Sequence, residues 1–479
     1  MFFQILSHAS LLVRSNNKTL LTDPWLIGSC YWRSWWNFPP VKSELVDKLE
    51  PDFIYITHVH WDHFHGPSLK RFSRQTPIII PLERSRRSRR DLADMGFTNV
   101  IEVRHARSVV LQDDFTITSY QFSHWGDSAL VIEADGVTLL NANDAKFMGL
   151  PLRQILSNHK RVDFAFRSHS SANDRICYHY TDEGSNGAAD DRMLYARSFV
   201  NFMERVKPRY AVPFASNHCY LHRDTYGLNS VIETPADVEQ YLHSVGGFSA
   251  SELKVMVSGD SWDSKNGFDI KKSTWFSKRE THLQQYLEEE GTTLRATYAL
   301  EEKTRLRLDE VETFFRRVFE VVPGIFKASF REKPIILCAT YGGGTDYFKL
   351  DLYLNQVSKI AEGDLAPDSL QFETTALVLR EAMASNMFSH IGISKRVIYR
   401  SRRQDARHIR KFNELLAAYE YEVLPLRLLF SFHTLKVYMR RWREVVLYAQ
   451  LIAGLLAGKS IHQLEEKQLG RAESLRCTS

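Results

Sequence analysis

Tyr55-Ile56-Thr57-His58-Val59-His60-Trp61-Asp62-His63-Phe64-His65-Gly66 decides how this chain is read. Five side chains able to bind a metal fall within eight positions, 58 to 65. They follow Phe53-Ile54-Tyr55-Ile56, an apolar run that reads as a buried strand. In an extended segment, residues two apart face the same side, so His58 and His60 can grip one cation together. Asp62 and His63 lie past the strand end, where the chain turns, and can face a second cation. Imidazole nitrogen and carboxylate oxygen suit zinc, iron or manganese. The plain alternative is a histidine-rich surface loop without metal. A ligand set placed directly behind a buried strand argues against it.

His-x-His-x-Asp-His after a hydrophobic strand resembles the metallo-β-lactamase superfamily. The opening of the chain, Phe3-Gln4-Ile5-Leu6-Ser7-His8-Ala9-Ser10 and Thr19-Leu20-Leu21-Thr22-Asp23-Pro24-Trp25, is similar to the branch containing ascorbate-phosphate lactonases and N-acyl phosphatidylethanolamine phospholipase D. TDPWL at 22–26, RSWWNFPP at 33–40, LLNANDAKF at 139–147 and PFAS at 213–216 resemble the metallo-β-lactamase-like part of CMP-N-acetylneuraminate hydroxylases. The resemblance covers about residues 1–275. It implies an α/β fold, the αββα sandwich, with a dinuclear centre. Cys177-Tyr178-His179 and Cys219-Tyr220-Leu221-His222 imitate the ligand spacing of a Rieske cluster. In those hydroxylases, however, the Rieske domain precedes the lactamase-like part, and this chain begins where it would end.

The family pattern extends the ligand set. It implies a third histidine at a strand end, met by His124, a bridging carboxylate, met by Asp144, and a last histidine, best met by His218. One cation would then sit among His58, His60 and His124, the other among Asp62, His63 and His218, with Asp144 spanning both. His222 and His169 compete for the last place. His169 is preferred as a catalytic or pocket residue beside Asp62. His8 and Asp23 are expected to orient the ligands. Trp36, Arg167 and His222 are the expected substrate contacts. Two divalent metal ions are the implied cofactors, zinc first and iron as the alternative.

Composition narrows the class. A chain of 479 residues that is 44% hydrophobic and 12% aromatic is globular, with core for more than one domain. A net charge of +5 suits an anionic small-molecule substrate, a nucleotide-sugar or phosphorylated compound, without demanding nucleic acid. Five scattered cysteines imply no disulfide framework and fit a reducing, cytoplasmic location. No segment reads as a signal peptide or a transmembrane span.

The expected domains are a catalytic unit over 1–275, a mostly helical α+β unit over 276–465 and a polar tail over 466–479. Within them, 254–257 reads as a strand and 372–458 as helices rich in Arg, Leu and Tyr. Five arginines in the seven residues 84–90 read as a solvated helix face or an anion site. The C-terminal unit is expected to cap substrate, face lipid or form a homo-oligomer.

A dinuclear His/Asp site is a hydrolytic device, so the leading expectation is hydrolysis of an ester, lactone, amide or phosphodiester through a metal-bound hydroxide. His60 between His58 and Asp62 resembles the zinc hydrolases of the family. The opposing expectation is a non-haem iron oxygenase fed by an external electron-donor protein. A metal-stabilised binding protein is the third.

Overall fold

The computed structural model describes residues 1–122, 127–170, 172, 174–187, 193–456 and 461–469. Alternation along the strands sorts the apolar side chains into layers. In Ile78–Pro81, Ile79 enters a core between two sheets, while Ile78 and Ile80 join a cluster beneath outer helices. Leu139 and Leu140 divide in the same way in Val137–Asn143. A strand covered on both faces needs consecutive apolar residues, and these runs supply them.

The first sheet has eight strands, in spatial order Gly267–Asp269, Ser261–Asp263, Phe2–Ile5, Leu11–Ser15, Lys18–Thr22, Phe53–Tyr55, Ile78–Pro81 and Val100–Val103. The last four run parallel, so their C-terminal ends share one edge. The second sheet has seven, in order Glu252–Leu253, Tyr210–Pro213, Phe164–Arg167, Val137–Asn143, Ser128–Ala134, Phe115–Gln121 and Arg107–Gln112. Phe3, Tyr55, Ile117, Leu130, Phe164 and Val212 fill the space between them. Leu69 and Leu92, from Gly66–Leu69 and Arg87–Asp94, pack outside the first sheet. Helices Gly149–Asn158, Leu194–Val206 and Pro235–Ser244 cover the second. This is the αββα sandwich.

A third sheet of seven strands carries most of the C-terminal half, in order Ser185–Asn186, Tyr178–Tyr180, Ile398–Ser401, Leu370–Thr375, Ile335–Tyr341, Gly344–Asp351 and Gln356–Ile360. Its first two strands come from the middle of the chain: Tyr178 pairs with Tyr399. Two of its strands correct the helical reading of 372–458. Leu370, Phe372 and Thr374 are buried while Gln371 and Glu373 face outward, a period-2 pattern confined to six residues. Ile398–Ser401 is shorter still. The strand expected at 254–257 does not form; the two-residue strand Glu252–Leu253 precedes that stretch. Asp260 accepts from the Val257 amide at 2.9 Å, and the chain turns out of the sheet there.

One apolar cluster joins the halves. Trp25, Tyr31, Trp32 and Trp35 share a core with Phe315, Phe372, Phe388 and Phe412. The arginine-rich stretch serves the same junction. Arg87 is buried and donates to the carbonyls of Glu420 and Ser385, at 3.1 Å each, and Arg90 pairs with Glu422. Arg396, 3% exposed, donates to Trp32 O at 2.8 Å and to Glu301 at 2.5 Å. Among the described residues, no helix is long and apolar enough to cross a membrane.

Candidate metal centre

The turn after Phe53–Tyr55 gathers its histidines at the shared edge of the parallel strands. His58 and His60 lie past the strand end, and still His58 Nε2 and His60 Nδ1 converge to 2.7 Å. Asp144, just beyond Val137–Asn143, reaches the same place from the second sheet. Its Oδ2 is 3.7 Å from His58 Nε2 and its Oδ1 is 3.5 Å from His63 Nε2. A carboxylate with one oxygen toward each of two histidines is the shape a bridging ligand takes.

Hydrogen bonds on the far side of each ring choose its tautomer. Asp23 accepts from Thr57 Oγ1 at 2.8 Å, which leaves that hydroxyl oxygen to accept from His58 Nδ1 at 3.0 Å. His63 Nδ1 donates to Asp23 Oδ2 at 2.9 Å. His60 Nε2 donates to the Tyr421 hydroxyl at 3.1 Å, and Tyr421 donates onward to His390 Nε2 at 3.2 Å. Burial and the neighbouring His58 hold the His60 pKa below its ordinary value, and burial and His60 hold His390 well below, which keeps both rings neutral. This leaves His58 Nε2 and His60 Nδ1 facing each other and turns His63 Nε2 toward Asp144.

Three sets of ligand atoms lie within 4.8 Å of one another: His58, His60 and Asp127; His58, His63 and Asp144; His8, Asp62 and His63. Asp62 is the best anchored. Tyr31 donates to its Oδ1 at 2.6 Å, and its Oδ2 lies 3.2 Å from His8 Nε2 and 3.4 Å from His63 Nε2. Burial opposes the Asp62 charge, but His63 and His8 outweigh it and hold the carboxyl well below the usual range. Burial likewise opposes a charge on His63, yet Asp144, Asp62 and Asp23 together raise it well above the ordinary imidazole value. A proton held there by three carboxylates is what a cation displaces on binding. The donor set fits such a cation: His8 Nε2, His63 Nε2 and Asp144 Oδ1 are buried without a hydrogen-bond partner.

The structure redistributes several expected residues. His124 lies outside the described residues. His218 is in none of the three sets: its ring lies flat on Trp35, 3.8 Å between centroids, and 5.6 Å from the His8 ring. His8, expected to orient ligands, stands within the Asp62 and His63 set, while Asp23 orients His63 and, through Thr57, His58. His169 is fully buried, with its pKa pushed down to about 3 by burial and by His8.

Three expected substrate contacts are engaged elsewhere. Strand alternation sends Phe164 and Phe166 inward and Arg167 outward, where it pairs with Glu465 and lies over Phe202. Trp36 packs against Tyr286 in a separate core, and its neighbour Trp35 faces the site. His222 lies 3.4 Å from both Asp224 and Glu301, in the junction network. The Rieske-like pairs do not meet either. Cys177 packs at the C-terminal core and Cys219 in the Trp36 cluster, while His179 bonds Asn186.

Asp127, Tyr31, Tyr421 and His390 escaped the sequence reading. Asp127 precedes a strand in a polar stretch, a faint signal. The other three stand alone in sequence, and only the docking of the C-terminal half brings Tyr421 and His390 to His60. With His60 they line a cavity of about 340 Å3 behind the His60 ring.

Residues 3–178 match the model of the β-lactamase superfamily domain. Its curated relatives include a protein of Mycolicibacterium smegmatis described as a Rieske 2Fe-2S iron–sulfur protein, 27% identical over 48% of this chain and 46% of its own length. Cytidine monophosphate-N-acetylneuraminic acid hydroxylase of Mus musculus is 30% identical over 29% of this chain and 25% of its own. The chain thus spans less than half the length of either relative. Among solved structures, isothiocyanate hydrolase from Delia radicum gut bacteria covers 55% of this chain and 99% of its own, at 16% identity and a TM-score of 0.40. CmlA, a diiron β-hydroxylase from Streptomyces venezuelae, covers 54% and 53%, at 15% identity and 0.36.

Proposed function

We propose that the chain is a dinuclear metal-dependent hydrolase of a small anionic substrate, its C-terminal half forming one wall of the active site. The supporting observation is that His58 and His63 face the two oxygens of Asp144 while His60 meets His58, each ring fixed from behind by Asp23, Thr57 or Tyr421. His58, His60 and Asp127 would hold one cation, and His8, Asp62 and His63 the other, with Asp144 between. Bound divalent zinc supplies Lewis acidity and lowers the pKa of a coordinated water toward neutrality.

The protein's own residues do the rest. Tyr31 fixes the Asp62 carboxylate, and burial and Asp62 raise the phenol pKa well above its ordinary value, so it stays a donor. Tyr421 holds His60 in the tautomer that presents Nδ1. Trp61, stacked on Tyr31 at 5.9 Å, and Trp32 close one side of the site to water.

A second reading, oxygenation at iron with an external electron donor, is favoured by the relatives named hydroxylase and iron–sulfur protein. Metal analysis of protein purified without added metal, combined with turnover under nitrogen, separates the two. About two zinc ions per chain and turnover of an ester or phosphodiester panel without oxygen support hydrolysis. Bound iron with substrate-dependent oxygen consumption supports oxygenation and overturns it.

A further inference from the structure

The basic runs of the C-terminal half have two fates. Arg396 pairs with Glu301, Arg400 with Glu373 and Arg403 with Glu183, so the first runs are used up in ion pairs. In the run at 440–443, Arg441 pairs with Glu444 while Arg440 and Arg443 have no acidic partner among the described residues. This run lines a cavity of about 730 Å3 between the turn after Val100–Val103 and the helices Phe432–Arg440 and Trp442–Leu456.

We propose that this cavity is a binding site for a phosphate-bearing ligand. Arg104, Arg107, Lys436, Arg440 and Arg443 face it together. Glu444, the one acid in its lining, is held by Arg441, whose Nε lies 3.0 Å from it. Among the described residues, Arg104, Arg107, Lys436 and Arg440 have no acidic partner. Like charges gathered around one concavity repel each other, and a multivalent anion removes that cost. Guanidinium forks match phosphate oxygens in pairs. The volume lies inside the roughly 300–1,000 Å3 of small-molecule sites. Trp442, 60% exposed, offers a flat face beside the cations for a ring carried by the same ligand.

Topology places the cavity near the metal centre. Leu82 of its wall follows Ile78–Pro81, and Arg104 follows Val100–Val103. Both strands end on the edge where the histidines gather, Val100–Val103 two strands away, roughly 10 Å at the usual spacing. The phosphate group has two sources, a free phosphate compound or a lipid headgroup. A second copy of the chain is disfavoured, since a two-fold contact would press the same cations together.

The site does not depend on the proposed hydrolysis, and the test separates them. Pyrophosphate is titrated calorimetrically into the full chain at physiological salt. In parallel, the chain is sedimented with phosphatidylcholine vesicles with and without phosphatidylglycerol. Saturable binding of pyrophosphate, or of the anionic vesicles alone, supports the site and names its source. That binding should weaken by about tenfold or more in an Arg104→Glu/Arg440→Glu variant. It should persist in Asp144→Ala and in Lys271→Glu/Lys272→Glu, which reverses two exposed cations outside the cavity lining. Binding of neither probe overturns the proposal. So does an equal loss in both charge-reversed variants, which marks diffuse attraction, or loss in Asp144→Ala alone, which places the probe at the metal centre.

Discussion

The two halves of the chain meet at His60, and they build their share of the site in opposite ways. The N-terminal sandwich delivers ligands in a compact run, because one turn behind one parallel strand carries His58, His60, Asp62 and His63 to a common edge. The C-terminal half delivers isolated residues: His390 from a 3-10 turn and Tyr421 at the end of Ala406–Glu420. The first half can bind metal by local geometry. The second can only shape what the first binds, and does so through docking.

The largest effect expected from this contrast falls on the sandwich side. Asp144→Ala should remove activity by more than the ~10–100-fold that loss of an outer hydrogen-bond partner costs. It should also lower metal content, with the circular dichroism spectrum unchanged. Retained activity would sink the shared-ligand account.

Next comes the junction. Arg396 and Glu301 are 3% and 2% exposed and ion-paired, so Arg396→Ala takes from a buried carboxylate its closest cation and leaves it only His222, at 3.4 Å, and the more distant Arg223. A loss of about 3–5 kcal/mol in urea unfolding is expected, and a loss below about 1 kcal/mol would show that the halves dock by apolar contact instead.

Tyr421→Phe sharpens the comparison on the C-terminal side. It should weaken metal binding at the His60 position by about 10–100-fold in a chelator competition while leaving the unfolding midpoint nearly unchanged. Equal affinity in the variant would confine the C-terminal half to a passive wall.

A smaller effect concerns pH. Burial raises the Glu420 carboxyl to about 7, against the stabilising bonds it accepts from Ser389. A carboxyl raised on folding contributes stability that is complete below its unfolded value near 4.5 and lost as pH rises through about 7. Wild type should therefore lose on the order of 3 kcal/mol between pH 5 and pH 8 that Glu420→Gln does not lose. Parallel stability curves for the two proteins would contradict this.

The same asymmetry explains what the sequence made legible. His58 to His63 and Asp144 could be read because each follows a strand whose apolar run announces it. Arg167 misled because its type suggests an anion while its position, odd in a strand with Phe164 and Phe166 inward, faces the outer helices. Alternation alone held that answer. Trp35 and Trp36 were a choice between neighbours on opposite faces, and type could not make it. Tyr31, His390 and Tyr421 carry no spacing at all. Their role comes from tertiary docking, which no local pattern encodes. The strands Leu370–Thr375 and Ile398–Ser401 were lost for a milder reason: short alternating runs sit between longer helical ones.

The most direct test of the central claim is a crystal structure of the full chain with anomalous data collected across the zinc and iron edges. The account predicts two zinc peaks flanking Asp144, one against His58 and His60 and the other against His8, Asp62 and His63. A single peak, or iron at these positions, would contradict the dinuclear hydrolytic centre.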